Sequence, residues 1–207
     1  MIKASFGDRL DAWVHRLFPF LFLRPISPDA LTVLGAAISI GAAFSLAGGL
    51  MTLGGVLILL GGFCDLVDGV VARHQGVATS FGAFLDSTLD RLVDMVLLLG
   101  LVFWYATSGD SATSLVASVV LVASVLTSYA KARAEVVLPS LEGGLLERGE
   151  RIGGLAIGAL FGVMVPMLWV LAAGTVFTVA QRFSVAYREL GRMDRERSSA
   201  SGAGDPV

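Results

Sequence analysis

Four aspartates occur in two pairs whose spacing matches the pitch of a helix. Asp65 and Asp68 are three residues apart, and Asp86 and Asp90 are four apart. Residues at these separations share one face of a helix, so two neighbouring helices could each present two carboxylates to the other. Hard divalent cations prefer such oxygen ligands. The pattern predicts a divalent-metal site, and two ions bridged by four carboxylates would suit phosphoryl chemistry.

These aspartates lie in strongly apolar surroundings. Hydrophobic residues make up 55% of the 207 residues and charged residues 15%, against about 25% charged in a water-soluble domain. An aspartate inside a membrane span costs on the order of 2.5–3.5 kcal/mol by insertion scales, and several together repel one another unless cations intervene. A single aspartate such as Asp94 is explained well enough by facing water at a helix end. Four at facing positions indicate a site.

Six stretches of the chain are apolar over roughly the 20 residues that a helix needs to cross a bilayer. We therefore expect an all-α integral membrane protein, with six transmembrane helices in a domain of residues 28–190. Apolar residues at helical spacing in residues 1–27 predict an amphipathic helix lying in the membrane interface. Residues 191–207 are polar and small and predict a disordered cytoplasmic tail. The predicted spans lie at about 29–48, 51–72, 83–106, 113–134, 148–166 and 168–188, with the last turn near Pro166.

The distribution of charge predicts the orientation of these spans. If both termini are cytoplasmic, all fifteen Lys and Arg residues lie on the inner side, and of the seventeen acidic residues only Asp110 lies outside. Such a bias follows the positive-inside rule. We expect a cell-membrane protein with its active site and both termini in the cytoplasm. Its expected partners are membrane lipids, with no nucleic acid.

The stretch around the aspartates resembles the signature of a known family, the CDP-alcohol phosphatidyltransferases. Eight specified residues across 26 positions make this a specific motif. The resemblance extends over essentially the whole chain, because that family also has six spans and an N-terminal interfacial helix. The matching residues read Asp65-x2-Asp68-Gly69-x2-Ala72-Arg73-x8-Gly82-x3-Asp86-x3-Asp90.

The resemblance implies a role for each matching residue. Asp65, Asp68 and Asp86 would ligate Mg²⁺ or Mn²⁺, as two ions, and Asp90 would complete the site. Asp86 and Asp90 would be the catalytic carboxylates, Asp90 being the base that deprotonates the acceptor hydroxyl. A further element, in which Asp29 replaces the family's more common Asn, would help to bind the nucleotide. The residues implied for the CDP-lipid are Asp29, Thr32, Asp68, Gly69, Ala72, Arg73 and Gly82.

A second cluster of charge predicts what the acceptor carries. Cations that converge from three helices suit a phosphorylated acceptor, because arginine binds phosphate oxygens in a forked geometry. Any single cation at a cytoplasmic helix end could equally serve only to anchor topology. Arg182 is the most informative, since it has apolar neighbours on both sides. The candidate acceptor residues are Lys131, Arg133, Arg148, Arg151 and Arg182.

The same segments resemble the phosphatidylinositol phosphate synthase branch of the family, with KARAE, ERGER and QR elements in corresponding places. ERGER stands where that branch has ERPER. The resemblance implies a reaction of CDP-diacylglycerol with inositol 1-phosphate that gives phosphatidylinositol phosphate and CMP. It also implies a homodimer.

Other functions fit part of the pattern. Glycerol 3-phosphate is an alternative acceptor, giving phosphatidylglycerophosphate, and an archaeal branch with an ether-lipid donor would look similar. A cation or proton transporter would explain intramembrane aspartates, but neither the arginines nor the glycines. An inactive structural relative is disfavoured because all eight signature residues are intact.

Overall fold

The computed structural model describes residues 27–75, 79–141 and 143–202, with side chains for residues 27–72, 79–141 and 143–196. The predicted interfacial helix falls outside these ranges. Within them the chain forms helices joined by short turns and one longer connection, and no strand. The six helices are α1 (Pro28–Ala47), α2 (Met51–Gln75), α3 (Ser80–Thr107), α4 (Ser111–Ala134), α5 (Arg148–Leu160) and α6 (Met164–Gly202).

Four of these helices are long and apolar enough to cross a membrane: α1, α2, α4 and the Met164–Glu196 part of α6. Helix α3 has 28 residues but carries four charged residues, all between Asp86 and Asp94. Helix α5 has only 13 residues, which is about 20 Å of rise. An all-α, multi-pass membrane protein is thereby confirmed.

The turn between α5 and α6 differs from its predicted position. It lies at residues 161–163, before Pro166 rather than at it. Gly162 makes the turn with a φ of 69°, a left-handed conformation that glycine adopts without a steric penalty. Pro166 is the third residue of α6, where its missing N–H leaves no intrahelical hydrogen bond unmade.

The last helix continues through most of the segment predicted to be disordered. Helix α6 ends at Gly202 rather than near residue 190. Arg192 pairs with Glu189 at 3.2 Å and with Glu196 at 3.6 Å, at the i±3 and i±4 spacings that support a helix. Beneath these pairs, four residues of α6 pack on the chain that follows α4. This second, smaller core contains Ala134, Leu138 and Leu141, with Val185, Ala186, Leu190 and Met193 against them.

Side-chain caps define where α3 and α4 begin. The Thr79 hydroxyl accepts a 2.9 Å hydrogen bond from the Gly82 amide, so Gly82 lies in the first turn of α3. Asp110 accepts hydrogen bonds from the Thr113 hydroxyl at 2.6 Å and from its amide at 3.0 Å. These two bonds lower the pKa of the Asp110 carboxyl from its ordinary value. Both caps satisfy amides that the first turn of a helix leaves unpaired.

Helices α1 and α2 cross at a contact that admits only glycine. A Cβ built on Gly61 would meet the Ser39 hydroxyl and lie 3.0 Å from the Gly35 carbonyl oxygen. A Cβ on Gly35 would in turn lie 3.0 Å from the Cys64 Cβ. Small residues of this kind allow helix backbones to approach closely in membranes. The crossing brings the start of α1 beside Asp65 and Asp68, which follow Gly61 by one and two turns.

We expect Gly61→Ala to lower the thermal unfolding midpoint of the detergent-purified protein. The added methyl meets a backbone carbonyl that cannot rotate away, and overpacking of this kind costs about 1–3 kcal/mol. Gly62→Ala is the matched control, since nothing lies within 4 Å of a Cβ at that position. Equal unfolding midpoints for the two variants would contradict the close crossing.

Candidate active site

Three carboxylates from two helices meet at one end of the bundle. Asp65 and Asp68 of α2 and Asp86 of α3 each place an oxygen within 4.8 Å of the others. Asp68 is buried, and its Oδ2 has no hydrogen-bond partner among the described residues. An all-oxygen donor set with an unpartnered buried carboxylate oxygen fits a hard divalent cation such as Mg²⁺ or Mn²⁺. These three residues would hold it.

A cavity of about 230 Å³ opens beside this cluster, between α1, α2 and α3. Asp68 and Asp86 form one wall of it. Gly82 forms part of another, and a Cβ there would lie 3.0 Å from Asp29 Oδ1 and 3.1 Å from Thr79 Oγ1. We call this space the glycine-lined cavity. It brings together six of the residues implied for the CDP-lipid, with the side chain of the seventh, Arg73, outside the described part: Asp29, Thr32, Asp68, Gly69, Ala72 and Gly82.

A second cavity, of about 150 Å³, opens beside Asp90 and Asp94. Helices α3, α4, α5 and α6 all contribute to its wall. We call it the cation-lined cavity, because five of its ten residues are Lys or Arg. The residues that line it are Asp90, Arg91, Asp94, Thr127, Ser128, Lys131, Glu147, Arg148, Arg151 and Arg182.

Arg148 lines the cation-lined cavity and contacts three carboxylates with different nitrogens. Its Nη1 is 2.9 Å from Asp65 Oδ2, its Nη2 is 3.0 Å from Asp90 Oδ1, and its Nε is 3.7 Å from Asp94 Oδ1. Its guanidinium therefore joins α5 to both α2 and α3. A delocalised cation with donors in a rigid fork suits such bridging better than an ammonium group.

Arg151 and Arg182 are almost fully buried, at 3% and 5% exposed. Arg151 donates from Nη2 to Asp94 Oδ2 at 2.7 Å and from Nη1 to the Leu146 carbonyl at 3.2 Å. Arg182 donates from Nη1 to the Thr127 carbonyl at 2.7 Å and from Nε to the Gly143 carbonyl at 3.0 Å. Carbonyl and carboxylate partners thus fix both side chains at the cavity wall before any ligand binds.

Four of the five predicted acceptor residues line the cation-lined cavity, and the fifth does not. Lys131, Arg148, Arg151 and Arg182 line the cation-lined cavity. Arg133 is exposed and is not among its lining residues. Two residues beyond Lys131, it projects about 200° further round the helix. An (i, i+2) relationship could have indicated this from the sequence, since such residues do not face one another.

Sequence reasoning missed several residues of the cation-lined cavity, and it misplaced Asp94. That side chain does not face water: it is buried and paired with Arg151. The spacing could have indicated this position. Asp94 follows Asp90 by four residues and Asp86 by eight, so all three lie on the same helix face. The other missed residues are Arg91, Thr127, Ser128 and Glu147.

Helix α3 connects the two cavities through consecutive turns. Asp86 lines the glycine-lined cavity, and Asp90, one turn later, lines the cation-lined cavity. One helical turn is about 5.4 Å of rise. Ligands held in the two cavities would therefore meet beside these carboxylates, a geometry suited to transfer of a group from one ligand to the other.

Comparisons with known proteins show the family of this chain. The sequence profile of the CDP-alcohol phosphatidyltransferase family matches residues 25–186. Phosphatidylinositol phosphate synthase of Mycobacteroides abscessus is 38% identical over 185 residues, covering 85% of this chain and 84% of that protein. The crystal structure of the Mycobacterium tuberculosis phosphatidylinositol phosphate synthase with CDP-DAG bound is 29% identical, with a TM-score of 0.74 over 88% of this chain and 94% of that chain. The same enzyme in complex with manganese and citrate gives a TM-score of 0.72 over 87% and 88% of the two chains.

We expect Asp68→Asn to weaken Mn²⁺ binding by at least about tenfold, as loss of a ligand should cost no less than the 10–100-fold typical of a supporting group. The amide keeps the size of the side chain but removes its charge. Electron paramagnetic resonance of free Mn²⁺ titrated with purified protein measures the dissociation constant directly.

Asp110→Asn is the control for this titration. Asp110 is also a carboxylate near a helix end, but it caps α4 at the opposite end of the bundle. Equal Mn²⁺ affinities for the two variants would show that the cation binds somewhere other than the Asp65, Asp68 and Asp86 cluster.

Proposed function

Because the chain belongs to the CDP-alcohol phosphatidyltransferase family, we propose that it transfers a phosphatidyl group from CDP-diacylglycerol to inositol 1-phosphate. The products are phosphatidylinositol phosphate and CMP. Two kinds of relative support the donor and the acceptor: enzymes named phosphatidylinositol phosphate synthase at 38% identity, and a related structure with CDP-DAG bound.

One observation carries the proposal: two chemically different cavities meet consecutive turns of α3, one lined by Asp86 and the other by Asp90. The glycine-lined cavity gives room for a bulky nucleotide next to the predicted metal ligands. The cation-lined cavity offers guanidinium groups from α5 and α6 and the Lys131 ammonium from α4. A phosphate group matches these donors. A transporter that used only the aspartates would have no need of the second cavity.

The residues of the two cavities account for the transfer as follows. The acceptor hydroxyl, held beside Asp90, gives its proton to that carboxylate as its oxygen bonds to the lipid-side phosphorus. The bond from that phosphorus to the oxygen of CMP breaks, and CMP leaves with the electron pair. Asp90 is suited to this task because it lines the acceptor side, one turn from Asp86 on the donor side.

A divalent cation held by Asp65, Asp68 and Asp86 would neutralise charge on the diphosphate and on the departing CMP. We propose two ions, with Asp90 as a further ligand, and either Mg²⁺ or Mn²⁺ as the metal. Support comes from the oxygen-only donor set and from the manganese found in a related enzyme.

We also propose that all six helices cross the membrane, with both termini and the two cavities at the cytoplasmic face. Helix α3, at 28 residues, is long enough despite its charged residues. Helix α5, at 13 residues, is short and would cross where the bilayer thins around it. In this orientation all fifteen Lys and Arg residues of the sequence would lie on the cytoplasmic side, as the positive-inside rule favours. We propose the cell membrane as the location and a homodimer as the assembly, as the family resemblance implies.

An acceptor-competition assay tests the function. Purified protein is given CDP-diacylglycerol with inositol 1-phosphate, free inositol, serine or glycerol 3-phosphate, and CMP release is measured. We expect turnover with inositol 1-phosphate but not with free inositol or serine, because only a phosphorylated acceptor uses the buried arginines. Turnover with glycerol 3-phosphate alone would establish the alternative acceptor. A parallel reaction with an ether-linked CDP-lipid examines the archaeal-type donor.

We expect Gly82→Ala to raise the KM for CDP-diacylglycerol by at least about fivefold and to leave the KM for inositol 1-phosphate within about twofold. A methyl there would press on Asp29 and Thr79, and overpacking costs about 1–3 kcal/mol. Steady-state kinetics in mixed micelles measure both constants. Gly153→Ala is the control, because a Cβ at that helical glycine meets nothing within 4 Å. A donor KM equal to that of the control would remove the glycine-lined cavity from the donor site.

A further inference from the structure

Asp94 is a residue of the cation-lined cavity that does not belong to the eight-residue signature. It is buried at 7% exposure and follows Asp90 by one turn of α3. Its Oδ2 accepts a 2.7 Å hydrogen bond from Arg151 Nη2, and its Oδ1 is 3.7 Å from Arg148 Nε. One carboxylate therefore faces two arginines, three residues apart on α5.

Asp94 differs from the other carboxylates that contact Arg148 because it has no second role in the proposed reaction. Arg148 also contacts Asp65 and Asp90. In the proposed reaction, Asp65 holds metal and Asp90 takes the acceptor proton. Of the three carboxylates that contact Arg148 in the described part of the chain, Asp94 alone has no other task in that reaction.

Asp94 and Arg148 could also form a hydrogen bond with each other. Its Oδ1 is buried and has no hydrogen-bond partner among the described residues, and the same holds for Arg148 Nε. The 3.7 Å that separates these two atoms exceeds a hydrogen-bond distance. A hydrogen bond between these two atoms would satisfy both of them.

We propose that Asp94 is a positioning residue for the phosphorylated acceptor: it holds Arg148 and Arg151 at the wall of the cation-lined cavity when Asp65 and Asp90 are engaged in the reaction. The proposal rests on the proposed function. Long arginine side chains lose rotamer freedom when they bind a ligand, and fixing them beforehand reduces that loss. Asp94 thus acts on acceptor affinity through two other side chains and does not touch the substrate.

Asp94→Asn tests the proposal, because it retains the shape of the side chain and removes the charge. We expect the KM for inositol 1-phosphate to rise about tenfold, equivalent to about 1.4 kcal/mol, while the KM for CDP-diacylglycerol stays within about twofold. Glu150→Gln is the matched control. It removes a carboxylate that lies between the two arginines on α5 but is exposed and outside the cavity lining.

A second measurement does not depend on turnover. Inositol 1-phosphate alone, without donor, should raise the unfolding midpoint of the wild-type protein and of Glu150→Gln, since a ligand stabilises the state that binds it. The rise should be clearly smaller for Asp94→Asn. An equal rise in all three proteins, or an equal increase of both KM values, would reduce Asp94 to a structural ion pair and overturn the proposal.

The link through Arg151 is tested by a double-mutant cycle with Arg151→Lys. Because both substitutions disturb one contact, their effects on the acceptor KM should be clearly less than additive; additive effects would contradict the proposal. Where Asp94→Asn does not fold, Asp94→Glu keeps the charge but displaces the carboxylate by one methylene. It should still raise the acceptor KM selectively, and an equal change in the donor KM would again overturn the positioning role.

The outcome is separable from that of the proposed function. If the wild-type protein does not turn over inositol 1-phosphate, the function fails before any variant is made. The same pair of KM values is then measured with whichever phosphorylated acceptor the wild-type protein uses. A selective rise in that acceptor's KM in Asp94→Asn would sustain the positioning role, and its absence would refute it.

Discussion

Carboxylates that must remain charged in an apolar bundle require compensating charge, and the rest of this structure is arranged around that requirement. Asp65, Asp90 and Asp94 all contact Arg148, and Arg151 adds a second cation behind Asp94. Asp68 and Asp86 lack a comparable arginine among the described contacts and lie where a divalent cation fits. Removing one member of such a network leaves an uncompensated buried charge, which is far more destabilising than replacing the whole network.

Backbone packing gives this network its geometry. The crossing of α1 and α2 at Gly35 and Gly61 is close, because neither glycine has a side chain that would separate the two helices. This close crossing holds Asp65 and Asp68 beside the start of α1. The Thr79 cap sets the residue at which α3 begins. It thereby sets the direction in which the aspartates of α3 project from the helix. Arg182 reaches from α6 to carbonyls of α4 and of the chain before α5, so the acceptor side is held by hydrogen bonds as well as by apolar contacts.

Much of the fold could be predicted from the sequence, because apolar runs and helix-period spacing are local signals. The six helices lie close to the predicted spans, and three signature aspartates meet as their spacing predicts. The α5–α6 turn could not be placed, since the first turn of a helix tolerates Pro166. The helical extension of α6 was missed because its polar composition hides the apolar contacts of Leu190 and Met193 with the chain after α4.

The partners of the charged residues were beyond the reach of sequence reasoning, because they depend on the packing of distant segments. Arg148 and Asp65 are 83 residues apart, and Arg182 and Thr127 are 55 apart. The partners of Asp94 likewise come from a distant segment, because Arg148 and Arg151 reach it from α5. Spacing along one helix shows which residues share a face, but not which neighbour that face meets.

The two cavities open at one end of a bundle of membrane helices, and this placement has a kinetic consequence. A lipid donor reaches the glycine-lined cavity by lateral diffusion in the plane of the membrane. A water-soluble acceptor reaches its cavity from the aqueous solution. The donor's effective concentration is then its mole fraction in the surface, and dilution with inert lipid or detergent slows the reaction at constant bulk molarity. The acceptor obeys ordinary molar saturation. The reaction rate therefore depends separately on the fraction of donor in the membrane and on the concentration of acceptor in solution.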